Sequence, residues 1–323
     1  MRVTDDALAA FWLAFALACA LASEVGEQFT PKCVRAALRD VLARGKVETS
    51  LNSSSGIIRK AWHRARVPHA WFVHFYVVGC GINAATLTRA LQATRDAGRA
   101  SDEAVVATLA LVLFQFHLIR RFWESAFVAT YREGASMHAG AYALGLAYYA
   151  LASASWAGHA FNGAVSGSGE LAMTSSQRAI VYAIATVGVG VFAIGNYRQN
   201  ECHAELASAR RRALATRGPK ASPYAIPRGG WFEKFSCAHY TAEIVIYLGL
   251  AIVVVPTDVF LGKWSRSSAL GAPGAPPRAL APVALCLAVV ANLTLAAREH
   301  HEWYHKRFGA RYPSARRAVL PGI

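Results

Sequence analysis

Charged residues are scarce in this sequence of 323 residues, and acidic residues are the scarcest of them. Asp, Glu, Lys and Arg together make up 16% of the chain, whereas hydrophobic residues make up 54%. Soluble globular domains carry about 25% charged residues, so this composition excludes an ordinary soluble domain. The formal net charge is +15, because 34 Lys and Arg face only 19 Asp and Glu.

Sequence signatures of several familiar protein classes are also lacking. The six cysteines are scattered and form no Cys-x-x-Cys pair, so we expect neither a disulfide framework nor a metal site. Gly188-Val-Gly190 resembles a dinucleotide-binding loop only superficially, because a Rossmann fingerprint lies between a strand and a helix. This glycine pair lies inside a hydrophobic run, where small residues favour close packing of membrane helices.

Long hydrophobic runs are what the sequence does contain. A bilayer-spanning helix needs roughly 17–25 apolar residues, and seven charge-free runs approach or reach that length. They predict an all-α integral membrane protein with about seven transmembrane helices. The first run follows Asp5 and Asp6, which suit a retained helix better than the positive start of a cleaved signal peptide. The runs cover residues 7–23, 67–88, 104–119, 134–169, 179–197, 244–257 and 279–297.

The distribution of Lys and Arg predicts the orientation of these helices. With the N-terminus outside the cytosol, the cytosolic segments hold 26 Lys and Arg and the opposite loops hold 6. Positive residues concentrate in cytosolic loops of membrane proteins, so we expect the C-terminus in the cytosol. The basic charge therefore indicates topology first and a phosphate-bearing ligand second, and nucleic acid is not expected. The cytosolic segments are 24–66, 120–133, 198–234 and 298–323.

The chain divides into a short N-terminal part and one large membrane domain. Residues 1–66 comprise the first transmembrane helix and a polar cytosolic loop, and residues 67–323 form the membrane domain with a cytosol-facing cofactor cavity. No internal repeat is visible. The loop 198–234 ends in Pro227-Arg-Gly229-Gly230, and proline with a glycine pair predicts a shaped turn.

Four groups of ionisable residues lie at predicted cytosolic helix ends, where their cost makes them candidates for function. In the first group, His117, Arg120 and Glu124 share one helix face, and Arg121 precedes Glu124 by three residues. These residues form either a functional cluster or a terminal ion pair with arginines that extend to water. Both interpretations remain open from the sequence.

The second and third groups lie in and after the loop 198–234. Gln199, His203 and Arg210 share one stripe of a helix, which is either a solvated charged face or a phosphate-binding face. His239 and Glu243 are one turn apart at the start of an apolar helix. The carboxylate of Glu243 could fix the imidazole tautomer or bind a ligand amide or hydroxyl.

The fourth group is the stretch REHHEWYHKRF at residues 298–308, directly after an apolar run. His300 and Tyr304 are one turn apart, and His301 shares a face with Tyr304 and His305. Membrane anchoring alone needs only a few basic and aromatic residues. A phenol and imidazoles on one face can donate a proton or bind a ribose or phosphate, so this grouping favours a functional site.

Several of these stretches together resemble the steroid 5α-reductase superfamily, and within it they are most similar to the polyprenol reductase branch. The resemblance covers most of residues 67–323. Its motifs are VPHAWFVHFY at 67–76, RRFWES at 120–125, QNECH at 199–203, YAIPRGGWF at 224–232, SCAHYTAE at 236–243, HEWY at 301–304 and RYPSAR at 311–316.

The resemblance implies a multi-pass enzyme of the endoplasmic reticulum membrane, with its active-site loops in the cytosol. Such an enzyme uses NADPH to reduce the α-isoprene double bond of polyprenol, or of the chemically more reactive polyprenal, towards dolichol for protein N-glycosylation. Catalytic roles are expected of His301, Tyr304, His117 and Glu124, and substrate contacts of Trp71, His74 and Tyr76. Cofactor contacts are expected of Gln199, His203, Arg210, Tyr224, His239, Glu243, His300, Arg121 and Arg316.

Departures from the superfamily pattern narrow the expected substrate. Steroid reductases have Asn, Asp and Asn at the positions of Gln199, His203 and His239, and a Tyr that contacts the substrate carbonyl at the position of Leu118. A steroid is therefore disfavoured, and His117 or a residue of 71–76 is expected to supply that contact. The alternatives are a steroid or enoyl-CoA reductase of the same superfamily and an isoprenylcysteine-type methyltransferase.

Overall fold

The computed structural model describes residues 4–23, 30–32, 34–35, 38, 64–98, 100–131, 134–162, 173–217, 224–260 and 280–319. Within these ranges the chain forms seven long α-helices, which confirms the predicted all-α class. The polar loop 24–66 and the connector 261–279 lie largely or wholly outside the described residues. The helices are α1 (Asp5–Ala22), α2 (Phe72–Asp96), α3 (Asp102–Trp123), α4 (Ala139–Asn162), α5 (Ser175–Arg217), α6 (Ala238–Phe260) and α7 (Leu280–Phe308).

Six of the seven helices are long and apolar enough to cross a membrane, namely α1, α2, α3, α5, α6 and α7. The chain is therefore a multi-pass membrane protein. Helix α4 lacks charged residues, but it is rich in Ala, Gly, Ser and Tyr rather than in strongly hydrophobic side chains. A seventh membrane crossing, through α4, stays a prediction.

Local sequence explains where the helices begin. The hydroxyl of Ser101 accepts the backbone N–H of Ala104 at 3.1 Å and caps α3, whose first turn carries Asp102 and Glu103. At its other end α3 continues into a π-helical turn, Glu124–Val128. Such turns are rare and are often found at functional sites. The turn sets the direction in which Glu124 leaves the helix.

Two short backbone pairings hold separate parts of the chain together. Strands β1 (Arg66–Pro68) and β2 (Ser136–His138) are antiparallel, and Arg66 pairs with His138. They place the start of α2 beside the start of α4. Near the C-terminus, Phe235 forms a parallel bridge with Arg317, and the N–H of Ser236 donates to the carbonyl of Arg317 at 2.8 Å. The C-terminal segment is thereby fixed against the start of α6.

Helices α5 and α6 pack with almost no space between their backbones. A Cβ atom added to Gly188 would lie 2.8 Å from the carbonyl oxygen of Gly249, and one added to Gly249 would lie 2.5 Å from the nitrogen of Phe192. This contact confirms that Gly188 serves helix packing. Helix α5 has 43 residues and spans roughly 65 Å, so it extends well beyond a hydrocarbon core of about 30 Å.

The turn before α6 has the shape that its glycine pair predicts. Gly229 and Gly230 have φ values of 88° and 53°, which L side chains rarely adopt. The N–H of Gly229 donates to the carboxylate of Glu233 at 2.6 Å. This hydrogen bond lowers the pKa of Glu233 and keeps its carboxylate ionised next to the C-terminal segment.

Candidate cofactor and active site

A network of charged and amide side chains joins α3, α5 and α6 at their predicted cytosolic ends. At its centre is the carboxylate of Glu124, which is 2% exposed and pairs with Arg120, Arg121 and His203. The guanidinium groups turn inward, because each arginine side chain is only 13% exposed. These arginines therefore do not extend to water. We call this set, with the partners described next, the junction network.

Gln199 of α5 connects the residues of α3 in the junction network to Glu243 of α6. Its amide oxygen accepts from Arg120, and its amide N–H donates to the carboxylate of Glu243. Glu243 also faces His117, with Nε2 and Oε1 3.4 Å apart. The other ring nitrogen of His117 lies 3.2 Å from Oδ1 of Asn196, which in turn accepts from Arg120 at 3.0 Å. Both ring nitrogens of His117 thus face polar partners.

The charges of the junction network balance within a largely buried volume. Two carboxylates, Glu124 and Glu243, face two guanidinium groups, Arg120 and Arg121. Removing one partner of a buried ion pair leaves an uncompensated charge, which is costly. Loss of any one of these charged groups would therefore destabilise the junction network. Its amide, imidazole and carboxylate groups can also exchange hydrogen bonds with a ligand that carries amides and hydroxyls.

One phenol of α2 belongs to the junction network. Nη2 of Arg121 donates to the hydroxyl of Tyr76 at 2.8 Å, and the guanidinium carbon lies 4.9 Å from the ring centre of Tyr76. Tyr76 is 2% exposed and packs edge-on against Tyr149 at 5.3 Å. The phenol therefore connects the charged groups with the apolar interior of the bundle.

The other two predicted substrate residues, Trp71 and His74, lie near the start of α2, five and two residues before Tyr76. Trp71 is 41% exposed, and its ring lies 5.4 Å from that of His74. Nδ1 of His74 is 2.9 Å from the hydroxyl of Tyr142 on α4. These residues form an aromatic group between the start of α2 and α4. Within the described part of the chain this group is not hydrogen-bonded to the junction network.

His301 and Tyr304 lie in a second group, which we call the C-terminal cluster. Nδ1 of His301 lies 2.6 Å from the hydroxyl of Ser236, which accepts a hydrogen bond from Tyr312 at 2.6 Å. Tyr304 stacks on Tyr312 with ring centres 5.2 Å apart, and His305 lies 4.5 Å from His301. Burial raises the pKa of Tyr312, so its phenol stays protonated and remains a donor.

A row of aromatic rings links the two groups. The ring of His203 in the junction network lies 5.9 Å from that of His239, which lies 4.1 Å from Tyr240. Tyr240 stacks on His300 at 5.8 Å, and the ring nitrogen of His300 lies 3.8 Å from the sulfur of Cys237. The predicted cofactor residues His203, His239 and His300 are therefore consecutive along one path between the junction network and the C-terminal cluster.

Arg316 of the C-terminal cluster has unsatisfied hydrogen-bonding capacity. Its side chain is fully buried, and among the described residues Nε and Nη1 have no hydrogen-bond partner. The side chain makes one long contact with Glu233, at 3.5 Å, and lies 5.6 Å from the ring centre of Tyr312. Arg210 and Arg316 are both close enough to Tyr304 to interact with its phenol electrostatically. A buried guanidinium of this kind fits an anionic partner such as a phosphate.

The two remaining predicted cofactor residues lie at the edges of these groups. Nη1 of Arg210 donates to the carbonyl of Thr130 at 2.9 Å and so ties α5 to the segment after α3. Tyr224 packs edge-on against Trp303 at 5.0 Å. A cavity of about 160 Å³, lined in part by Arg198 and Arg228, lies on the neighbouring face of α5.

Sequence reasoning did not identify three residues that complete these groups. Asn196 precedes Gln199 by three residues and His203 by seven. This spacing places Asn196 on the same face of α5, so it could have been predicted from the sequence. Ser236 and Tyr312 are 76 residues apart, and their hydrogen bond depends on the fold of the C-terminal segment. No sequence spacing indicates it.

Comparisons with known proteins identify the family to which the chain belongs. The family described as 3-oxo-5-alpha-steroid 4-dehydrogenase matches residues 146–261 and 277–323. Polyprenal reductase 1 of Arabidopsis thaliana is 31% identical over 83% of this chain and 84% of its own length. The polyprenal reductase of Xenopus laevis is 29% identical over 88% of this chain and 85% of its own length. That of Caenorhabditis elegans is 27% identical over 80% of this chain and 79% of its own length. The chain therefore belongs to the steroid 5α-reductase superfamily and is an oxidoreductase that acts on a carbon–carbon double bond.

Proposed function

We propose that this protein uses NADPH to reduce the α-isoprene double bond of polyprenal. The product is the saturated aldehyde, which a separate carbonyl reduction converts to dolichol for protein N-glycosylation. The observation that carries the proposal is the position of the junction network, where polar groups suited to a dinucleotide adjoin the apolar helix bundle through Tyr76. The similarity to proteins named polyprenal reductase over most of the chain supports the same lipid substrate.

The residues of both groups fit the parts of a nicotinamide dinucleotide. Gln199 and Glu243 offer an amide and a carboxylate to the carboxamide, and the row through His239 and His300 offers rings and donors along the molecule. Arg316, with two unpartnered N–H groups, and Arg210 suit its phosphates. When bound, the cofactor supplies a hydride. Because NADPH differs from NADH by one phosphate, basic residues favour NADPH.

The chemistry favours an aldehyde over an alcohol as substrate. Hydride addition to an isolated allylic alcohol places negative charge on carbon, whereas a conjugated aldehyde moves that charge to its oxygen. A nearby donor then stabilises the enolate. The family membership leaves the methyltransferase alternative without support, and Leu118, which is buried and apolar, offers no donor to a steroid carbonyl.

The predicted catalytic residues divide into two roles in this proposal. Glu124 and His117 are held by buried ionic and polar contacts, so they orient Arg121 and Glu243 around the reacting head group. His301 and Tyr304 lie with Arg316 in the C-terminal cluster, and there they serve cofactor binding. Trp71 and His74 contact the isoprenoid chain where it enters between α2 and α4.

We further propose that the enzyme resides in the endoplasmic reticulum membrane with both groups facing the cytosol. The excess of Lys and Arg in the segments 24–66, 120–133, 198–234 and 298–323 supports this orientation. NADPH would then reach the site from the cytosol, while the substrate arrives through the bilayer.

A substrate panel tests the proposal. Purified protein in detergent is supplied with NADPH and, separately, with polyprenal, polyprenol, a 3-oxo-Δ4 steroid and an enoyl-CoA. We expect saturation of the double bond only with polyprenal. Equal turnover of the steroid, or binding of S-adenosylmethionine in place of NADPH, would refute the assignment.

A further inference from the structure

The contact between α2 and α3 has a polar layer directly beside an apolar one. In the apolar layer, a Cβ atom added to Gly79 of α2 would lie 3.1 Å from the side chain of Leu118 on α3. One turn away on both helices, Tyr76 accepts the hydrogen bond from Arg121 at 2.8 Å. The hydroxyl of Tyr76 therefore lies at the boundary between the charged groups and the apolar contact of α2 with α3.

We propose that Tyr76 is the proton donor to the aldehyde oxygen and that Arg121 stabilises the phenolate that remains. This inference rests on the proposed function. Arg121 donates to the phenol oxygen, so the phenol proton stays available to an acceptor such as a carbonyl oxygen. Tyr76 is buried, and a cation that contacts it in such surroundings stabilises a developing negative charge strongly.

The other candidate donors near the junction network are less suited. Nδ1 of His117 lies 3.2 Å from Asn196, and Nε2, which makes no hydrogen bond among the described residues, lies 3.4 Å from the carboxylate of Glu243, which attracts any proton held there. Leu118 has no proton to give. Tyr149 is also buried and lies beside Tyr76, but the hydrogen bond from Arg121 goes to Tyr76. Tyr76 is thus the phenol with a cation placed to hold its conjugate base.

Proton transfer from Tyr76 accompanies addition of hydride to the double bond. Hydride bonds to the β carbon, the pair of the carbon–carbon double bond moves to the bond between the α carbon and the carbonyl carbon, and the carbonyl π pair moves to oxygen. The O–H bond of Tyr76 breaks, and its proton bonds to that oxygen, which gives an enol. The enol then takes a proton from water at the α carbon and releases its hydroxyl proton. The phenolate of Tyr76 regains a proton from water, and the product is the saturated aldehyde.

The first test compares Tyr76→Phe with Tyr149→Phe, which makes the same change at a neighbouring buried phenol. In purified full-length enzyme we measure turnover of polyprenal and the Kd of NADPH. General acids contribute about 10²–10⁴-fold to rates, so we expect kcat of Y76F to fall by about 10²–10³-fold with the Kd nearly unchanged. For Y149F we expect a change of less than about tenfold. A kcat of Y76F close to that of the wild type, while the wild type turns over polyprenal, would overturn the inference and leave the proposed function standing.

A second variant separates loss of the proton donor from a change in folding. A fluorinated tyrosine at position 76 keeps the ring and hydroxyl but makes the phenol more acidic. If Tyr76 gives up a proton during turnover, the alkaline limb of the pH–rate profile moves to lower pH. The same substitution at Tyr149 serves as the control. An unchanged profile in an active protein fluorinated at position 76 would contradict the proposal, because a purely structural tyrosine does not govern that limb.

Discussion

The carboxylate of Glu124 and the imidazole of His203 are 2.6 Å apart, and this contact joins α3 to α5 where the apolar bundle ends. Arg120 and Arg121 pair with the same carboxylate. Three basic side chains thus depend on one buried acid at the start of a π-helical turn. Loss of the Glu124 carboxylate would therefore affect both the candidate site and the packing of α3 against α5.

Replacing Glu124 by Gln should destabilise the protein strongly. The change leaves Arg120 and Arg121 without their common counter-charge in a buried position and removes the carboxylate partner of His203. Breaking a buried ion pair costs about 3–5 kcal/mol. We expect a lower unfolding temperature in detergent and loss of activity. Glu201→Gln is the control, because Glu201 and its partner Arg198 are 42% and 39% exposed and such pairs contribute less than about 1 kcal/mol. Similar unfolding temperatures for the two variants would count against a central role of Glu124.

Replacing Arg316 by Gln should weaken cofactor binding more than it weakens the fold. Hydrogen bonds to charged groups contribute about 1.5–3 kcal/mol, which corresponds to roughly 10–150-fold in the Kd of NADPH. The neighbouring Arg317 is exposed, and Arg317→Gln is therefore a matched control for loss of one positive charge. Calorimetric titration with NADPH measures both. Equal affinities in the two variants would show that Arg316 does not bind the cofactor.

Replacing Arg210 by Ala should distinguish NADPH from NADH. If Arg210 binds the phosphate that NADPH carries and NADH lacks, the KM for NADPH rises more than the KM for NADH. Arg211 follows it on the exposed face of α5 and provides the control. The bond from Arg210 to the carbonyl of Thr130 offers the alternative, in which both KM values rise together because α5 and the segment after α3 separate. Steady-state kinetics with the two cofactors decides between these results.

Replacing Tyr304 by Phe removes a hydroxyl and almost no volume from the C-terminal cluster. Because the ring still stacks on Tyr312, we expect normal abundance and an unchanged unfolding temperature. Because Tyr304 is proposed to bind the cofactor, loss of its hydrogen bond should raise the KM for NADPH, by roughly 10–150-fold if the bonded group is charged. Turnover at a low, fixed NADPH concentration should fall accordingly. Normal turnover at normal abundance would show that Tyr304 is not part of the site.

The helices were predicted well because charged side chains are excluded from the hydrocarbon core, so a long charge-free run with charged ends marks a membrane helix. The sequence also indicated which residues share a face, as with His117, Arg120 and Glu124 on α3. The prediction was less complete for α4, whose composition is weakly hydrophobic, and it did not anticipate the π-helical turn at Glu124. That turn is a backbone adjustment without a distinctive residue pattern.

Contacts between distant segments were beyond sequence reasoning. The hydrogen bonds that join Ser236 to Tyr312 and to His301 span 76 and 65 residues, and periodicity within one helix carries no information about them. The same holds for Arg121 and Tyr76, which are 45 residues apart. The motifs therefore suggested the members of the site, whereas their division into the junction network and the C-terminal cluster required the fold.

The most direct test of the proposed reaction follows the hydride itself. Purified enzyme is incubated with polyprenal and NADPH that carries deuterium at the transferred position, and the product is analysed by mass spectrometry and NMR. Hydride transfer to the double bond predicts one deuterium at the β carbon of a saturated aldehyde, with no label at the carbonyl carbon. Deuterium at the carbonyl carbon of an allylic alcohol would instead mean that the enzyme reduces the aldehyde group, and it would contradict the proposed reaction.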